Sequence, residues 1–405
     1  MKKFDKDKYL KKLKFKRNLT KYGKYFYIGI PCLMITILGI YFTYSKFSVF
    51  KDTEVVRTTV DDFISKDAVI GAYIDGKYSS TIPGKNDGYL VEKIVCDTDT
   101  SASWNNDSWG IVLTNLTKRT KCNVYFNKIA SVSEKMTTAM SNNPSMFASD
   151  DPGKNIRYIG ADPSNYVYFN CSDYANPTAD TCELWRIIGV FNNVTKPDGS
   201  KENLVKIISD ETFGDYNWNT SNVNDWTTSS LQETLDNYAV NHCTPTAIEE
   251  VEWNLGGSST YNDVTASMFY ERERGTTVYG DHATTWTGII GLMYPSDYGY
   301  ATSGGSTKDR SACLAEKLHN WSSSDFSDCK DNDYLFDANL TQWTLTPDST
   351  DAAYVFAVSR GGFVSTRGYI SDYSHAVRPT IYLKSSIKVK SGTGEKNNPY
   401  TLSVK

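Results

Sequence analysis

Twenty-one consecutive uncharged residues, Tyr25 to Ser45, constrain this chain more than any other feature. As a helix rising about 1.5 Å per residue, such a run crosses the roughly 30 Å hydrocarbon layer of a bilayer. Tyr25, Phe26 and Tyr27 at one end and Tyr41, Phe42 and Tyr44 at the other suit the two aromatic belts of a membrane span. Pro31 falls in the first turns, where a missing backbone donor costs little, and Cys32 reads as an ordinary apolar membrane residue. The preceding residues 1–24 hold eleven Lys or Arg against Asp5 and Asp7, a local charge of +9. The positive-inside rule therefore places 1–24 in the cytoplasm, a transmembrane helix at 25–47, and the rest outside the cell, anchored to membrane lipid by that one helix. A cleaved signal peptide fits less well: the apolar run is long for one, and the following TYSKFSVF offers no small-x-small cleavage site.

The overall charge of −4 then leaves −13 on the remaining residues, a balance unsuited to nucleic acid, which is bound through cations laid against phosphates. With 28 Tyr, 17 Phe and 9 Trp set among Thr, Ser, Asn and Gly, the composition favours pleated, half-buried surfaces. Residues 48–75 read as a juxtamembrane connector leading into a first strand. A small β module follows at 76–127, with turns at Asp75-Gly76 and Pro83–Gly88 and strands in YLVEKIVC, SWGIVLTNL and KCNVYF. Residues 128–152 carry Ile129, Val132, Met136 and Met140 at helical spacing and read as a linker helix. From 153 to 405 short strands alternate with long Gly/Ser/Asn/Asp loops, with helices expected near 228–240 and 311–320, an irregular α+β domain whose loops are natural carriers of function.

Seven cysteines follow the apolar run, and an extracellular setting permits bridges. The spacing offers three local pairs, Cys96 with Cys122, Cys171 with Cys182 and Cys313 with Cys329, and leaves Cys243 over. Cys243 beside His242 is not a nucleophile with its base, because nothing orients the imidazole. Neither a C-x-x-C pair nor clustered histidine supports zinc. Asp325, Asp328, Asp331 and Asp333 lack the spacing and glycine of a calcium loop. No cofactor is expected, and no motif supports calcium.

Several stretches stand together in the C-terminal region: CELWRIIGVF (182–191), WTLTPDSTDAAYVFAVSRGGFVS (343–365) and AVRPTIYLKSS (376–386), preceded by IRYIGADPSNYVYFNC (156–171), IISDETFGDYNW (207–218) and TGIIGLMYPSDYGYATSGG (287–305), and followed by SGTGEKNNPYTL (391–402). This order resembles a group of bacterial membrane-anchored surface proteins of unassigned function, over about residues 70–405. Their C-terminal domain is similar to the C-type-lectin-like and formylglycine-generating-enzyme-like fold. The fold class expected is thus α+β, mostly β: an N-terminal transmembrane helix, a small β-sandwich-like module, then a C-type-lectin-like irregular α+β domain. Enzymes of that fold need a reactive cysteine pair close together near the C-terminus. Here Cys313 and Cys329 stand apart and no cysteine follows them, and the sugar-binding calcium signatures of the lectins are missing.

The expectation is a non-enzymatic recognition or adhesion module at the cell surface, binding an extracellular glycan or protein through loops at 291–305 and 360–375. Tyr294, Asp297, Tyr298, Tyr300, Arg360 and Tyr373 are the contact candidates, since rigid aromatics bind with little loss of entropy. The alternative is an enzyme on the formylglycine-generating-enzyme-like scaffold, for which no catalytic set is recognisable. Trp185 and Trp343 are expected as core anchors, and Arg378 as a core arginine paired with a carboxylate such as Glu183.

Overall fold

The computed structural model describes residues 67–404 apart from Asn86, Thr117, Arg367 and Gly368, together with Lys11 and Lys14. The chain divides into two compact units meeting at Lys128 and Ile129.

The first unit begins with β1 (Ala68–Ile74), which turns through Asp75 and Gly76 into β2 (Lys77–Ser79). Both turn residues have positive φ, 49° and 78°, as a two-residue hairpin turn of this hand requires. β3 (Tyr89–Cys96), β4 (Ser101–Asn105), β5 (Gly110–Thr114) and β6 (Thr120–Lys128) complete it. The sheet order is β2-β1-β6-β3, and β1 runs parallel to β6. β4 and β5 form a separate hairpin. From it Trp104 meets the ring of Phe126 edge-on at 5.3 Å and Trp109 at the same distance, closing a core around Val124 and Phe126. Cys96 and Cys122 sit opposite one another in the β3–β6 ladder and are bridged.

The second unit opens with α1 (Val132–Asn142), started by a full capping box between Ser131 and Glu134. Its Val132 and Met136 are buried in the core of this unit, and Val132 and Val389 hydrogen-bond across to Ile387 and Ala130, so the helix read as a linker is a wall of the second unit. The main sheet then gathers β7 (Phe147–Ala148), β8 (Ile156–Tyr158), β9 (Tyr166–Phe169), β10 (Glu183–Thr195) and β11 (Lys201–Ser209). β12 (Gly214–Asn217), α2 (Ser230–His242), β13 (Ile248–Glu249), β14 (Val251–Asn254) and α3 (Ala266–Glu273) follow. β15 (Thr285–Gly288), α4 (Pro295–Ala301), α5 (Arg310–Ala315) and α6 (Ser327–Asp331) lead to β16 (Gln342–Pro347), β17 (Val355–Val358), β18 (Val364–Thr366), β19 (Ser374–Val377) and β20 (Thr380–Leu383). β21 (Lys388–Ser391) and β22 (Thr401–Ser403) close the unit as a pair.

The main sheet has the order β13-β20-β11-β10-β8-β7, with β9 also on β10. A second sheet runs β12-β19-β16-β17-β18, and β14 pairs with β15 alone. β10 is central because WRIIGVF is apolar enough to be buried on both faces. Gly189 lies at a register shift of β10, and a Cβ there would stand 2.1 Å from the Ile156 carbonyl oxygen of β8, so only glycine lets the two strands pair. β17 is buried throughout, as its unbroken apolar run requires. Trp185 and Trp343 are buried, their indole N–H groups donating to Glu183 at 2.9 Å and to the Tyr216 carbonyl at 2.8 Å.

Three expectations are corrected. The first is the fold class with its membrane helix. The expected span at 25–47 and the basic tail lie outside the described residues, and among the described residues no helix is long and apolar enough to cross a membrane. The longest helix with described bounds, α2, has 13 residues and so reaches only about 20 Å. What is described is a mostly β chain of two units, the first a four-stranded mixed sheet under a hairpin and the second a pair of larger sheets with short helices. The second correction concerns Arg378, which is buried but does not meet Glu183. Its Nε donates to the Ser209 carbonyl at 2.8 Å and its Nη1 to Gln342 at 3.3 Å, while Glu183 accepts from Asn170, Trp185 and Tyr238. Glu183 starts β10 and faces α2, whereas Arg378 precedes β20, two strands away across the sheet. The third is the loop expected at 291–305, which holds a buried helix, α4.

The Cys96–Cys122 bridge closes a separation of 26 residues in a unit with a small apolar core. Constraint of the unfolded loop is worth about 3–4 kcal/mol. A Cys96→Ala/Cys122→Ala variant is therefore expected to lose hydrogen-exchange protection across β1, β3 and β6 by a factor of about 100 or more. Protection within β10, β11 and β20 should be unchanged.

Candidate functional site

The second unit is organised around buried charge. β8 contributes Arg157, β11 contributes Lys206, and α4 contributes Asp297, all fully shielded from solvent. Arg157 donates through Nε to Asp151 at 2.6 Å and through Nη1 to Asp297 at 2.9 Å. Lys206 Nζ donates to the other oxygen of Asp297 at 2.5 Å. The same Asp297 oxygen accepts the backbone N–H of Tyr294 at 3.0 Å and so starts α4 from within, where Pro295 suits the first helical position. Burial opposes ionisation of Asp297, but the Lys206 ammonium and the Arg157 guanidinium outweigh it and hold the carboxyl below the ordinary range. Burial pulls Lys206 down to about 8 against the attraction of Asp297, which leaves it protonated at neutral pH.

Four rings surround the Lys206 ammonium: Tyr294 at 4.4 Å, Phe191 at 5.3 Å, Trp253 at 5.5 Å and Tyr382 at 5.7 Å. Such a cage favours a cation through the negative ring faces. The same four rings line a pocket of about 280 Å3. Their positions come from four elements: Phe191 from β10, Trp253 from β14, Tyr382 from β20 and Tyr294 from the start of α4. Tyr294 is fixed by a double hydrogen bond to the backbone of Asn254, accepting from its N–H at 3.0 Å and donating to its carbonyl at 2.9 Å.

The remaining wall is polar. Arg274, just past α3, lies flat on Tyr270, its guanidinium carbon 3.5 Å from the ring centroid. Its Nη1 donates to the Tyr270 carbonyl at 3.1 Å and to Glu273 at 3.2 Å, and no described residue takes its Nε or Nη2. Glu273 is itself engaged inside the core by the Ser296 N–H at 3.0 Å and hydroxyl at 2.5 Å. Burial pushes its pKa up despite Arg274 and those hydrogen bonds. Around the mouth stand Asn193, Glu252 and Asn254, whose side chains hydrogen-bond to no described residue. Asn155 and Asn192 brace the wall: Asn155 donates to Asp151 and Tyr270, and Asn192 to the carbonyls of Gly153 and Lys154. The result is a concave site bounded by aromatic rings, with amide, carboxylate and guanidinium groups at its rim that can hydrogen-bond the edge of a small ring.

The six contact candidates read from sequence separate here. Tyr294, Asp297, Tyr298 and Tyr300 are buried on α4, and of these Tyr294 lines the pocket. Tyr298 donates to the Gly362 carbonyl at 2.7 Å and so ties down the 359–363 turn, while Tyr300 packs on Arg157. Arg360 and Tyr373 are exposed on turns that do not reach the pocket. The sequence reading missed Asn193, Glu252, Trp253, Asn254, Tyr270, Arg274 and Tyr382. The alternation in Val251-Glu252-Trp253-Asn254, with Val251 and Trp253 inward, was the one local signal available for them.

Disulfides join Cys96 to Cys122, Cys171 to Cys182 and Cys313 to Cys329. Cys243 is buried, and burial together with the nearby Glu183 carboxylate pushes its thiol up to about 12, too high to form a nucleophile. In the acidic run Asp328 caps backbone N–H groups of Thr307 and Lys308, Asp331 pairs with Lys330, and Asp333 is buried and accepts from Leu335. Among the described residues no three His, Cys, Asp or Glu side chains gather as a metal ion would need. Comparison with protein families, with curated proteins and with solved structures finds no match.

Asp297→Asn is expected to destabilise the second unit by about 3–5 kcal/mol, since it leaves two buried cations short of an anion. Asp297 is depressed in the folded state, so its stabilisation is present above the ordinary carboxylate pKa of about 4 and is lost as pH falls through the folded value. Urea denaturation between pH 6 and 2 checks both: the wild-type chain should lose stability along this limb more steeply than the variant.

Proposed function

We propose that this chain is a recognition protein of an oxidising, extracytoplasmic compartment, and that it binds a glycan by taking one sugar ring into the pocket of the second unit. Three disulfides support the compartment, since such bridges persist where the thiol pool is oxidised. The observation that carries the reading is the lining of the pocket: aromatic rings beside the side-chain amides of Asn193 and Asn254 and the carboxylate of Glu252, which hydrogen-bond to no described residue. A sugar presents an apolar ring face for the former and hydroxyl edges for the latter. A volume of about 280 Å3 lies at the low end for ligand pockets, which run from roughly 300 Å3 upward, and suits a single ring over an extended peptide. The binding surface thus moves from the loops expected at 291–305 and 360–375 to the ends of β10 and β14.

The test is a glycan array probed with the full chain, followed by titration of any captured glycan against Asn254→Ala and Glu252→Ala. Each removes a group of the pocket rim that hydrogen-bonds to no described residue, so melting temperature should hold. Affinity should fall about tenfold, the equivalent of roughly 1.4 kcal/mol for one lost polar contact. Unchanged affinity in both variants, or capture of protein ligands with no glycan bound, would overturn the reading.

A further inference from the structure

We infer that the sugar accepted by this pocket carries a carboxylate, and that Arg274 reads it. The inference rests on the glycan reading above and adds the chemical class of the ligand. Arg274 is one of three cations in or behind the pocket wall, and the other two are held away from the cavity by buried carboxylates. Lys206 and Arg157 are sealed behind the rings and bound to Asp297 and Asp151. Arg274 lines the cavity itself, with Nη1 spent on Tyr270 and Glu273 and with Nε and Nη2 spent on no described residue. Those two nitrogens form one edge of the planar fork. Two parallel N–H groups on such an edge match the two oxygens of a carboxylate in a bidentate pair, which is stronger and more directional than a contact to a hydroxyl.

Preorganisation favours the same ligand. The guanidinium lies 3.5 Å over Tyr270 and is held at Nη1 by Glu273 and the Tyr270 carbonyl, so its plane is set before the ligand arrives. A planar donor that is already ordered gains most from a planar anion, because little further rotamer entropy is lost. Glu273 leaves that edge open: it meets Arg274 at Nη1, and Ser296 donates to both of its oxygens. Glu252 also lines the pocket, but it is exposed, where water and salt screen its charge. It is suited to accept from ring hydroxyls, as Asn193 and Asn254 are suited to meet them from either side of the amide.

The first arm of the experiment uses the unaltered chain. The full chain is titrated with the methyl glycosides of glucuronic, galacturonic, N-acetylneuraminic and N-acetylmuramic acids, and with the carboxyl methyl ester of each. At least one acid should bind about tenfold or more tightly than its neutral ester. Arg274→Lys, which keeps the charge but loses the fork, should remove that preference by weakening the acid about tenfold more than the ester. Acid and ester of every bound sugar binding equally would overturn the carboxylate inference and leave the glycan reading standing. A preference that survives in Arg274→Lys, with the variant's melting curve matching the wild type, would overturn the assignment to Arg274. If no member of the panel binds while a neutral glycan does, the carboxylate inference fails alone, and if no glycan of either kind binds, both readings fail.

Discussion

The carboxylate of Asp297 is the point on which the second unit turns. One side chain joins the main sheet to α4 through Lys206 of β11 and Arg157 of β8, and it also accepts the backbone N–H that begins the helix. A buried ion group of this kind adds little net stability over an apolar core of the same volume, because desolvation offsets most of the attraction. Its contribution here is placement. Two cations on neighbouring parts of one sheet accept a single anion in one geometry, so α4 can dock on the sheet in only one register. Tyr294 is carried to the pocket by that docking, and its hydroxyl then fixes the backbone of β14. The pocket wall is therefore set by a salt link buried behind it.

The rings divide core from pocket. Phe191, Trp253, Tyr294 and Tyr382 turn their faces toward Lys206 and also bound the cavity. A charge sealed behind aromatic walls acts on a bound group through a low dielectric, without itself being exchangeable with water. Arg274 stands on the open side of the same boundary. Stacking on Tyr270 and pairing with Glu273 gives it the rigidity of a core residue while its outer edge stays free.

Much of the fold was legible in the sequence where a local rule sufficed. The Asp75-Gly76 turn, the all-apolar β17, the helix near 228–240 and the three neighbouring cysteine pairs each follow from residues within a short window. The parallel pairing of β1 with β6 does not, since some fifty residues separate partners such as Ala68 and Thr120. α4 was misread because Pro-Ser-Asp-Tyr-Gly-Tyr has the composition of a loop; what makes it helical is Asp297 finding two cations from distant strands, a tertiary effect that overrides propensity. The same long-range assembly hid the pocket. Asn193, Asn254 and Arg274 are unremarkable in their own segments and meet only after β10, β14 and α3 have packed. Arg378 was placed correctly in the interior but given the wrong partner, because strand order decides which carboxylate lies within reach.

The disulfides carry a consequence for how the molecule is made. Six bridged cysteines allow fifteen connectivities, and the one found joins each cysteine to the next to emerge during synthesis, at separations of 26, 11 and 16 residues. A chain leaving a ribosome or translocon N-terminus first can thus oxidise each pair before the following one appears, with no reshuffling. Cys243 arrives after the second bridge is complete and before the third begins, and α2 takes it into the interior as its C-terminal cap. Had the bridges crossed one another, an early pairing of neighbours would have to be undone by thiol–disulfide exchange; here the pairing of neighbours is the final one.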